Sequence, residues 1–216
     1  KEILERIDYD FRQLNVPAQT LLTVRMRAGR MDDYARSFLS EYPQGTVIHL
    51  GCGLDSRYMR LDNGLVNWYD LDMADAISLR KTFYSETDRY KMISSSVTNL
   101  AWLDAIPTLG QPVMVIAEGL LMYLAGEDVK ALILELGKRF PGCHLVCDVF
   151  SQMTAKKVGR HPSLKKTGAA VKWGIDNAKE IEEWSQGIHL KEEWCFSHSE
   201  DIQKLGLFFR LGFNFA

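Results

Sequence analysis

The sequence predicts an α/β domain built on a doubly wound, mostly parallel sheet. Five strand-like runs alternate with helical stretches, and this alternation is typical of βαβ units with right-handed crossovers. Two of the runs are nearly continuous in apolar residues, as expected when helices cover both faces of a sheet. A turn punctuated by glycine follows the first run. The predicted strands are residues 47–50, 66–71, 91–95, 113–117 and 144–150.

Helical stretches fill the segments between these strands. A Pro-Gly pair at 141–142 ends the last of them before the fifth strand. Arg57, Arg60 and Arg80 fall in the first two of these helices, where we expect them on the exposed surfaces. The predicted helices are residues 54–61, 73–88, 100–105, 127–140 and 176–184, and strand-like residues return at 189–196 and 207–215.

The first 44 residues are predicted to form a helical lid beside the sheet domain. Residues 1–14 carry an apolar stripe with helical spacing, and a second helix covers 20–39 before a Pro-Gln-Gly turn. The main domain then covers residues 45–216 and includes a basic insertion at about 151–187. The lysines of this insertion either attract an acidic substrate or form a solvated face.

The bulk composition excludes several classes of protein. The chain has 216 residues, of which 46% are hydrophobic and 25% charged, as in a globular domain with a large core. A net charge of −2 gives no basic footprint for nucleic acid, and no apolar run reaches the ~20 residues that cross a bilayer. The four cysteines lack metal-ligand spacing, so we expect no metal site and a cytoplasmic protein with reduced thiols.

The glycine turn Gly51-Cys52-Gly53 marks the predicted ligand site. It follows the first strand, and in an open α/β sheet ligands bind beyond the carboxyl ends of the strands. Glycine allows the backbone to approach a ligand closely. Asp70 and Asp72 lie on the same side of the second strand. Asp72, at its tip and about 20 residues after the glycines, is the predicted ribose partner.

Three ligands that carry a ribose suit this turn to different degrees. NAD requires a third glycine where Ser56 stands, and Asp55 at the following helix N-terminus disfavours a pyrophosphate. ATP requires a G-x-x-x-x-G-K-[ST] loop, which the sequence lacks. S-adenosylmethionine carries a sulfonium and an ammonium but no phosphate, so it suits the turn best.

Three stretches of the sequence carry a family resemblance, and they occur in the family's order: "VIHLGCGLDSRYMRL", "WYDLDMADAISLRK" and "VMVIAEGLLMYL". Together they resemble the leucine carboxyl methyltransferase family, and most closely its bacterial branch of polyketide-type O-methyltransferases, the tetracenomycin-synthesis kind. The resemblance covers about residues 20–175. It implies a Rossmann-like, class I S-adenosylmethionine-dependent methyltransferase that acts on a carboxylate or hydroxyl of a small, polyketide-like acceptor.

The resemblance also implies which residues bind the cofactor. Arg27, in "RAGRMDDYARSFL", would bind the methionine carboxylate through its guanidinium fork. Glu118, in "AEGLLMYL", would neutralise the cofactor's ammonium, and Asp72 would bind the ribose. The expected cofactor-binding residues are Arg27, Gly51, Cys52, Gly53, Asp72, Met73, Ser96, Val97 and Glu118.

One position departs from the family pattern. Ser96-Val97 stands where the family usually has an acid followed by an apolar residue that contact the adenine. We therefore expect weaker recognition of the adenine, or its packing against Val97 alone. The same departure leaves an alternative function open, a non-catalytic protein of this fold that binds the cofactor or a protein partner.

The sequence marks no residue as a general base. A carboxylate acceptor is already ionised at neutral pH and needs none, whereas a phenol, with a pKa near 10, would benefit from one. His49 and His144 lie in strands and are expected to be structural, and His161 is expected in a solvated loop. Tyr123, after the fourth strand, is the candidate for a contact with the substrate or the sulfonium.

Overall fold

Five strands form the centre of the molecule. A computed structural model describes residues 5–7, 10, 16–107, 110–158, 169–199 and 202–203. The strands are β1 (Thr46–Leu50), β2 (Asn67–Asp72), β3 (Tyr90–Ser94), β4 (Val113–Ala117) and β5 (His144–Cys147). They pair in the order β3-β2-β1-β4-β5, and every neighbouring pair is parallel. The predicted doubly wound α/β class is therefore confirmed.

Helices cover both faces of this sheet. The α-helices are α1 (Ala18–Glu41), α2 (Arg57–Leu61), α3 (Ala74–Arg80), α4 (Gly126–Arg139) and α5 (Gln152–Val158). Short 3-10 helices cover Leu100–Ala105, Leu121–Tyr123, Ala178–Trp184 and Phe196–His198. In the part of the chain that the structure describes, no helix is both long and apolar enough to cross a membrane.

Alternate residues of each strand enter two separate cores. On one face, Val47 of β1 packs in a buried cluster with Phe38 of α1 and Trp68 of β2. On the other face, Ile48 joins a cluster that includes Leu132 of α4. The strand order reverses between β1 and β4, so the segments that leave these two strands diverge and open a crevice at the carboxyl edge.

Helix α1 crosses the first face of the sheet between the amino ends and the carboxyl ends of the strands. Near its end, the Phe38 ring lies 5.4 Å from the ring of His144, the first residue of β5. Arg27 instead reaches the carboxyl edge, where it bonds Glu118 just beyond β4. With a rise of ~1.5 Å per residue, the helical residues before Arg27 extend past that edge. Leu21, in this extension, is 58% exposed.

The main elements differ from their predicted bounds where tertiary contacts intervene. β5 ends at Cys147 rather than 150 because its partner strand β4 ends at Ala117, opposite Cys147. α2 begins at Arg57 rather than 54 because the glycine turn continues to that point. α3 ends at Arg80 rather than 88 because the chain turns there and the Tyr84 ring packs 4.4 Å from the Arg80 guanidinium.

The predicted strand at 189–196 is wrong. Within the described residues 189–199 the chain has no strand, and a 3-10 helix covers Phe196–His198. This segment binds α1 instead, because Arg30 pairs with Glu192 and lies 5.9 Å from the Trp194 ring. The helix predicted at 176–184 is a 3-10 helix, Ala178–Trp184. The predicted strand at 207–215, His161 and most of the predicted helix at 1–14 lie outside the described residues.

Candidate functional site

The glycine turn after β1 brings bare backbone to the carboxyl edge of the sheet. Gly51 and Gly53 adopt positive φ angles of 62° and 48°, which residues with a Cβ rarely accept. A Cβ added at Gly51 would lie 3.1 Å from the Leu120 side chain, whereas one at Gly53 would meet nothing within 4 Å. Gly51 therefore permits close packing of the two loops, and Gly53 faces open space where a ligand can approach.

Asp72, the last residue of β2, lies directly against this turn. Its Oδ2 accepts a hydrogen bond from the Gly53 N–H at 2.7 Å, and its Oδ1 accepts one from the Met73 N–H at 2.7 Å. Both bonds fix the direction of the carboxylate. Met73 is exposed beside it. The structure thus brings Gly51, Gly53, Asp72 and Met73 together at one edge, as predicted.

Arg27 and Glu118 meet at the same edge, joined by a residue that the sequence reasoning missed. The Arg27 Nε donates to Glu118 Oε1 at 2.9 Å, and its Nη1 donates to Asp148 Oδ2 at 2.9 Å. Asp148 also accepts a 2.6 Å hydrogen bond from the Gly119 N–H. The sequence reasoning placed Asp148 inside a strand of residues 144–150. The acid that follows the apolar residues 145–147 is a signal that could have ended this strand earlier and identified Asp148, because carboxyl ends of parallel strands share an edge.

Gly119 makes room for the Arg27 guanidinium. Its φ is +64°, and a Cβ added there would lie 3.2 Å from Arg27 Nη2. Among the described residues, Nη2 has no hydrogen-bond partner, and the Arg27 side chain is 27% exposed. Arg27 therefore retains donors for a ligand even though two carboxylates hold it.

The expectation that Arg57 lies on a helix surface is wrong. Its side chain is 0% exposed, since α2 turns it beneath α1 toward the crevice. Its Nη2 donates to Glu118 Oε2 at 2.5 Å and its Nε to Asp32 Oδ1 at 2.7 Å. Arg60 is exposed, as expected, and donates to Asp32 and Asp55 at 2.5 and 2.7 Å. We call Arg27, Asp32, Arg57, Glu118 and Asp148 the Glu118 cluster.

Burial and charge act against each other in this cluster. Burial opposes ionisation of Asp32, but hydrogen bonds from Arg60 and Arg57 outweigh it, so the pKa of Asp32 is lowered. For Arg27, burial is likewise outweighed by the attraction of Asp148 and Glu118, and its pKa is raised. Burial raises the pKa of Asp148, and Arg27 offsets this only in part. The guanidinium of Arg27 is thus charged beside two carboxyl groups.

The expectation that Arg80 lies on a helix surface is also wrong, because its side chain is buried. It forms an ion pair of 2.5 Å with Asp70 Oδ2, which also accepts a 2.6 Å hydrogen bond from the Tyr90 hydroxyl. Trp68 Nε1 donates to the other oxygen of Asp70 at 2.8 Å. His49 Nδ1 lies 3.5 Å from that same oxygen. We call His49, Trp68, Asp70, Arg80 and Tyr90 the Asp70 cluster.

The remaining predicted residues lie near the crevice and differ in burial and in hydrogen bonding. The Ser96 hydroxyl pairs with the Thr98 hydroxyl at 2.8 Å, and Val97 is buried. The Cys52 thiol is buried, and burial raises its pKa, so Cys52 can offer a ligand its backbone but no thiolate. Tyr123 is half-buried in the 3-10 turn after β4. Within the described residues, no group of three His, Cys, Asp or Glu side chains could hold a metal ion.

Solved structures with the same fold are methyltransferases. A methyltransferase from Thermobifida fusca superposes with a TM-score of 0.55 at 15% identity and covers 73% of this chain and 64% of its own. An O-methyltransferase family protein from Burkholderia thailandensis gives 0.50 at 13% identity, with 73% and 49% covered. At these identities the likeness establishes a shared architecture. The chain therefore has the fold of the class I S-adenosylmethionine-dependent methyltransferases.

Sequence comparison then identifies the family. The model of the leucine carboxyl methyltransferase family matches residues 7–137. The tetracenomycin polyketide synthesis O-methyltransferase TcmP of Streptomyces glaucescens is 37% identical over 200 residues, covering 92% of this chain and 74% of that protein. The S-adenosyl-L-methionine-dependent methyltransferase dpfgK of Gibberella zeae is 30% identical over 200 residues, covering 85% of this chain and 65% of that protein.

The chain belongs to the leucine carboxyl methyltransferase family. It is an S-adenosylmethionine-dependent O-methyltransferase, as the resemblance of its motifs implied, and the alternative of a non-catalytic relative is not favoured. The chain spans less than two thirds of the length of the Gibberella zeae relative and of the Thermobifida fusca chain.

Proposed function

We propose that this protein transfers a methyl group from S-adenosylmethionine to a carboxylate or phenolic oxygen of a small, polyketide-like acceptor. The observation that carries the proposal is the Arg27–Glu118–Asp148 group beside the glycine turn, which offers both charges to an amino acid at the switch point of the sheet. The relative from Streptomyces glaucescens, named for polyketide synthesis, supports the acceptor class.

The charges and the open backbone fit the chemical groups of the cofactor. Arg27, whose Nη2 has no hydrogen-bond partner among the described residues, suits the methionine carboxylate, and a guanidinium matches it in shape. Glu118 suits the ammonium. Asp72 suits the ribose hydroxyls beside the open face of Gly53. Gly51 and the Cys52 backbone, Met73, Ser96 and Val97 complete the proposed cofactor site.

The part of the proposed cofactor site that would bind the adenine is the least polar. The Ser96 hydroxyl already has a hydrogen-bond partner in Thr98. Val97 supplies an apolar surface, and its position is fixed because its carbonyl accepts a 3.1 Å hydrogen bond from Trp102 Nε1. The exposed Met73 side chain lies after the ribose acid. Packing between apolar surfaces would therefore replace much of the hydrogen bonding expected from an acid at position 96.

The protein's contribution to the reaction is alignment and exclusion of water. The cofactor supplies a methyl group activated by its sulfonium, and displacement at that carbon requires the acceptor oxygen in line with it. No histidine of the described site is placed to act as a base, since His49 is buried beneath the crevice between Arg57 and Asp70. An acceptor that is already ionised fits this site. Tyr123 is the proposed contact to the acceptor or the sulfonium.

The acceptor side of the site is assigned to the lid and the basic segment. The extension of α1 presents the exposed side chains of Leu21 and Val24 beyond the carboxyl edge, where they can cover a flat apolar acceptor. Lys156 and Lys157 of α5 supply positive charge for an acidic acceptor. The four free cysteines suit the reducing cytoplasm, where we propose that the protein acts.

Calorimetric titration with S-adenosylhomocysteine tests the cofactor site. Asp72→Ala should weaken binding at least tenfold, or about 1.4 kcal/mol, because a charge-assisted bond is lost. Asp75→Ala is the matched control, since Asp75 is an exposed acid one turn further along the chain and should leave binding within about twofold. Failure of the unmodified protein to bind would overturn the proposed site.

The acceptor class can be tested with paired aromatic substrates. A carboxylate and a phenol on the same ring system are incubated with S-adenosylmethionine, and the gain of one methyl is measured by mass spectrometry. Methylation of a carboxylate should be independent of pH above about 5, whereas methylation of a phenol should increase toward pH 10, because only the anion attacks. An amine on the same ring system is assayed in parallel, and its methylation in preference to both would contradict the proposal.

A further inference from the structure

Two fully buried arginines underlie the crevice from opposite sides. Arg57 belongs to α2 and Arg80 to α3, and both side chains are at most 1% exposed. Neither can contact a ligand at the surface of the crevice. Each nevertheless donates a hydrogen bond to a group that faces the crevice, Glu118 for Arg57 and the Gly53 carbonyl for Arg80.

Arg57 acts on Glu118. Its Nη2 bonds Glu118 Oε2, while Arg27 Nε bonds Oε1, so each oxygen of this carboxylate has its own guanidinium. The Nε of Arg57 is fixed in turn by Asp32 at 2.7 Å, and its Nη1 lies 3.2 Å from both Asp55 and His49 Nε2. Only a rigid fork with several donors spans these groups at once. Arg57 thus fixes the direction of the carboxylate proposed to receive the ammonium.

Arg80 acts on the glycine turn. Its Nη1 donates to the Gly53 carbonyl at 2.9 Å, while the N–H of the same glycine donates to Asp72 at 2.7 Å. The two peptide groups that flank Gly53 are therefore each fixed by a charged side chain. Asp70 holds the Arg80 Nε at 2.9 Å. Since Gly53 is otherwise free to rotate at a positive φ, this bond determines how the turn faces the ribose acid.

We infer that the two buried arginines are positioning residues, and that each orients the binding site for a different portion of the cofactor. Arg57 orients the site for the amino-acid portion through Glu118, and Arg80 orients the site for the nucleoside portion through Gly53. This inference rests on the proposed cofactor site. It extends that site to two residues that never touch the ligand.

The test uses two ligands that differ only at the amino-acid end. S-adenosylhomocysteine carries the whole amino acid, and 5′-methylthioadenosine keeps the adenine, ribose and thioether without it. Affinities for both are measured by calorimetry, with competition for the weaker ligand. Lysine replaces each arginine because it keeps the charge but loses the fork.

Arg57→Lys should weaken binding of S-adenosylhomocysteine at least tenfold and change binding of 5′-methylthioadenosine less than twofold. Arg80→Lys should weaken both ligands by a similar factor. Arg60→Lys is the matched control, because Arg60 shares Asp32 with Arg57 but does not contact Glu118, and it should change both affinities less than threefold. Equal losses for both ligands in Arg57→Lys, or a loss confined to S-adenosylhomocysteine in Arg80→Lys, would overturn the inference.

Milder variants cover the case in which a buried lysine prevents folding. Asp32→Asn weakens the anchor of Arg57 Nε because it removes the charge and one acceptor oxygen, and Tyr90→Phe removes a hydroxyl 3.1 Å from Arg80 Nε. They should reproduce the same two patterns with smaller losses, and the opposite assignment would again contradict the inference. If the unmodified protein binds neither ligand, the proposed cofactor site itself is wrong.

Discussion

The Glu118 cluster and the Asp70 cluster have the same chemistry and differ in their depth. Each contains a buried arginine paired with at least one carboxylate, and they adjoin through His49, whose Nε2 accepts from Arg57 and whose Nδ1 faces Asp70. Asp70 lies inside β2, two residues before the edge, and is 0% exposed. Glu118 lies just beyond β4 and is 11% exposed. A shift of two or three residues along a strand thus separates a closed ion pair from one that can meet a ligand.

The difference in depth predicts a difference in energetic role. A buried ion pair contributes little net stability over an apolar replacement, but removal of one partner leaves an uncompensated charge. In the Asp70 cluster every partner is enclosed, so removal of one partner would lower the free energy of unfolding. In the Glu118 cluster, water and ligand can replace a lost partner, so removal of a partner would mainly lower the affinity for the ligand.

The largest effect is expected from Asp70→Ala. This change leaves the Arg80 guanidinium buried without its carboxylate and also removes the acceptor of Trp68 and Tyr90. The free energy of unfolding, measured by urea denaturation, should fall by about 3–5 kcal/mol. A loss below about 1 kcal/mol would show that water reaches the cluster and that the comparison of depths is wrong.

Glu118→Gln should have a smaller effect on stability and a larger one on binding. The amide keeps the shape but has no charge and only one acceptor oxygen, so its NH2 group faces one of the two guanidiniums, which costs about 1–3 kcal/mol of unfolding free energy. Affinity for S-adenosylhomocysteine should fall at least tenfold, while 5′-methylthioadenosine binds as before. Unchanged affinity for S-adenosylhomocysteine would remove Glu118 from the proposed site.

The pH dependence of stability should separate the two clusters more finely. Burial opposes ionisation of Asp70, but His49, Arg80 and Tyr90 outweigh it and lower its pKa, as Arg60 and Arg57 do for Asp32. The stability from these acids is present above the unfolded-state value near 4 and is lost as pH falls through their lower folded-state values. Asp148, with a raised pKa, contributes in the opposite sense.

Urea denaturation between pH 3 and pH 6 measures this dependence. The free energy of unfolding should decrease as the pH falls, and Asp70→Asn should flatten the decrease because the variant has no carboxyl group to protonate there. Asp148→Asn should make the decrease steeper. If Asp70→Asn left the slope unchanged, Asp70 would not be the acid that links stability to pH.

Asp33→Ala should have the smallest effect and serves as the reference for both clusters. Asp33 is exposed on α1 and pairs with the exposed Arg36 at 3.0 Å. Exposed pairs contribute ~0–1 kcal/mol, and alanine is the better helix former, so the unfolding free energy should change by at most about 0.5 kcal/mol. A change as large as that of Asp70→Ala would mean that depth is not the deciding variable.

The sequence by itself determined the order of the elements and the edge at which a ligand binds. Apolar runs such as 113–117 identify buried parallel strands, because burial on both faces requires continuous apolar residues. Glycines after one strand and acids after others must meet at the carboxyl edge. Gly53 and Asp72 were expected at this edge, where they lie in contact. The hydrogen bond between Arg27 and Glu118 was not predicted, because Arg27 belongs to a helix and not to the end of a strand.

Only the tertiary structure decided which charged residues are buried. Arg57 and Arg80 stand in short helices with polar neighbours, and their pattern is that of surface residues. Their burial depends on carboxylates outside their own helices, Glu118 and Asp32 for the one and Asp70 for the other. A charge enters the interior only when a partner is already positioned there, and that condition is set by the packing of strands and helices rather than by local sequence.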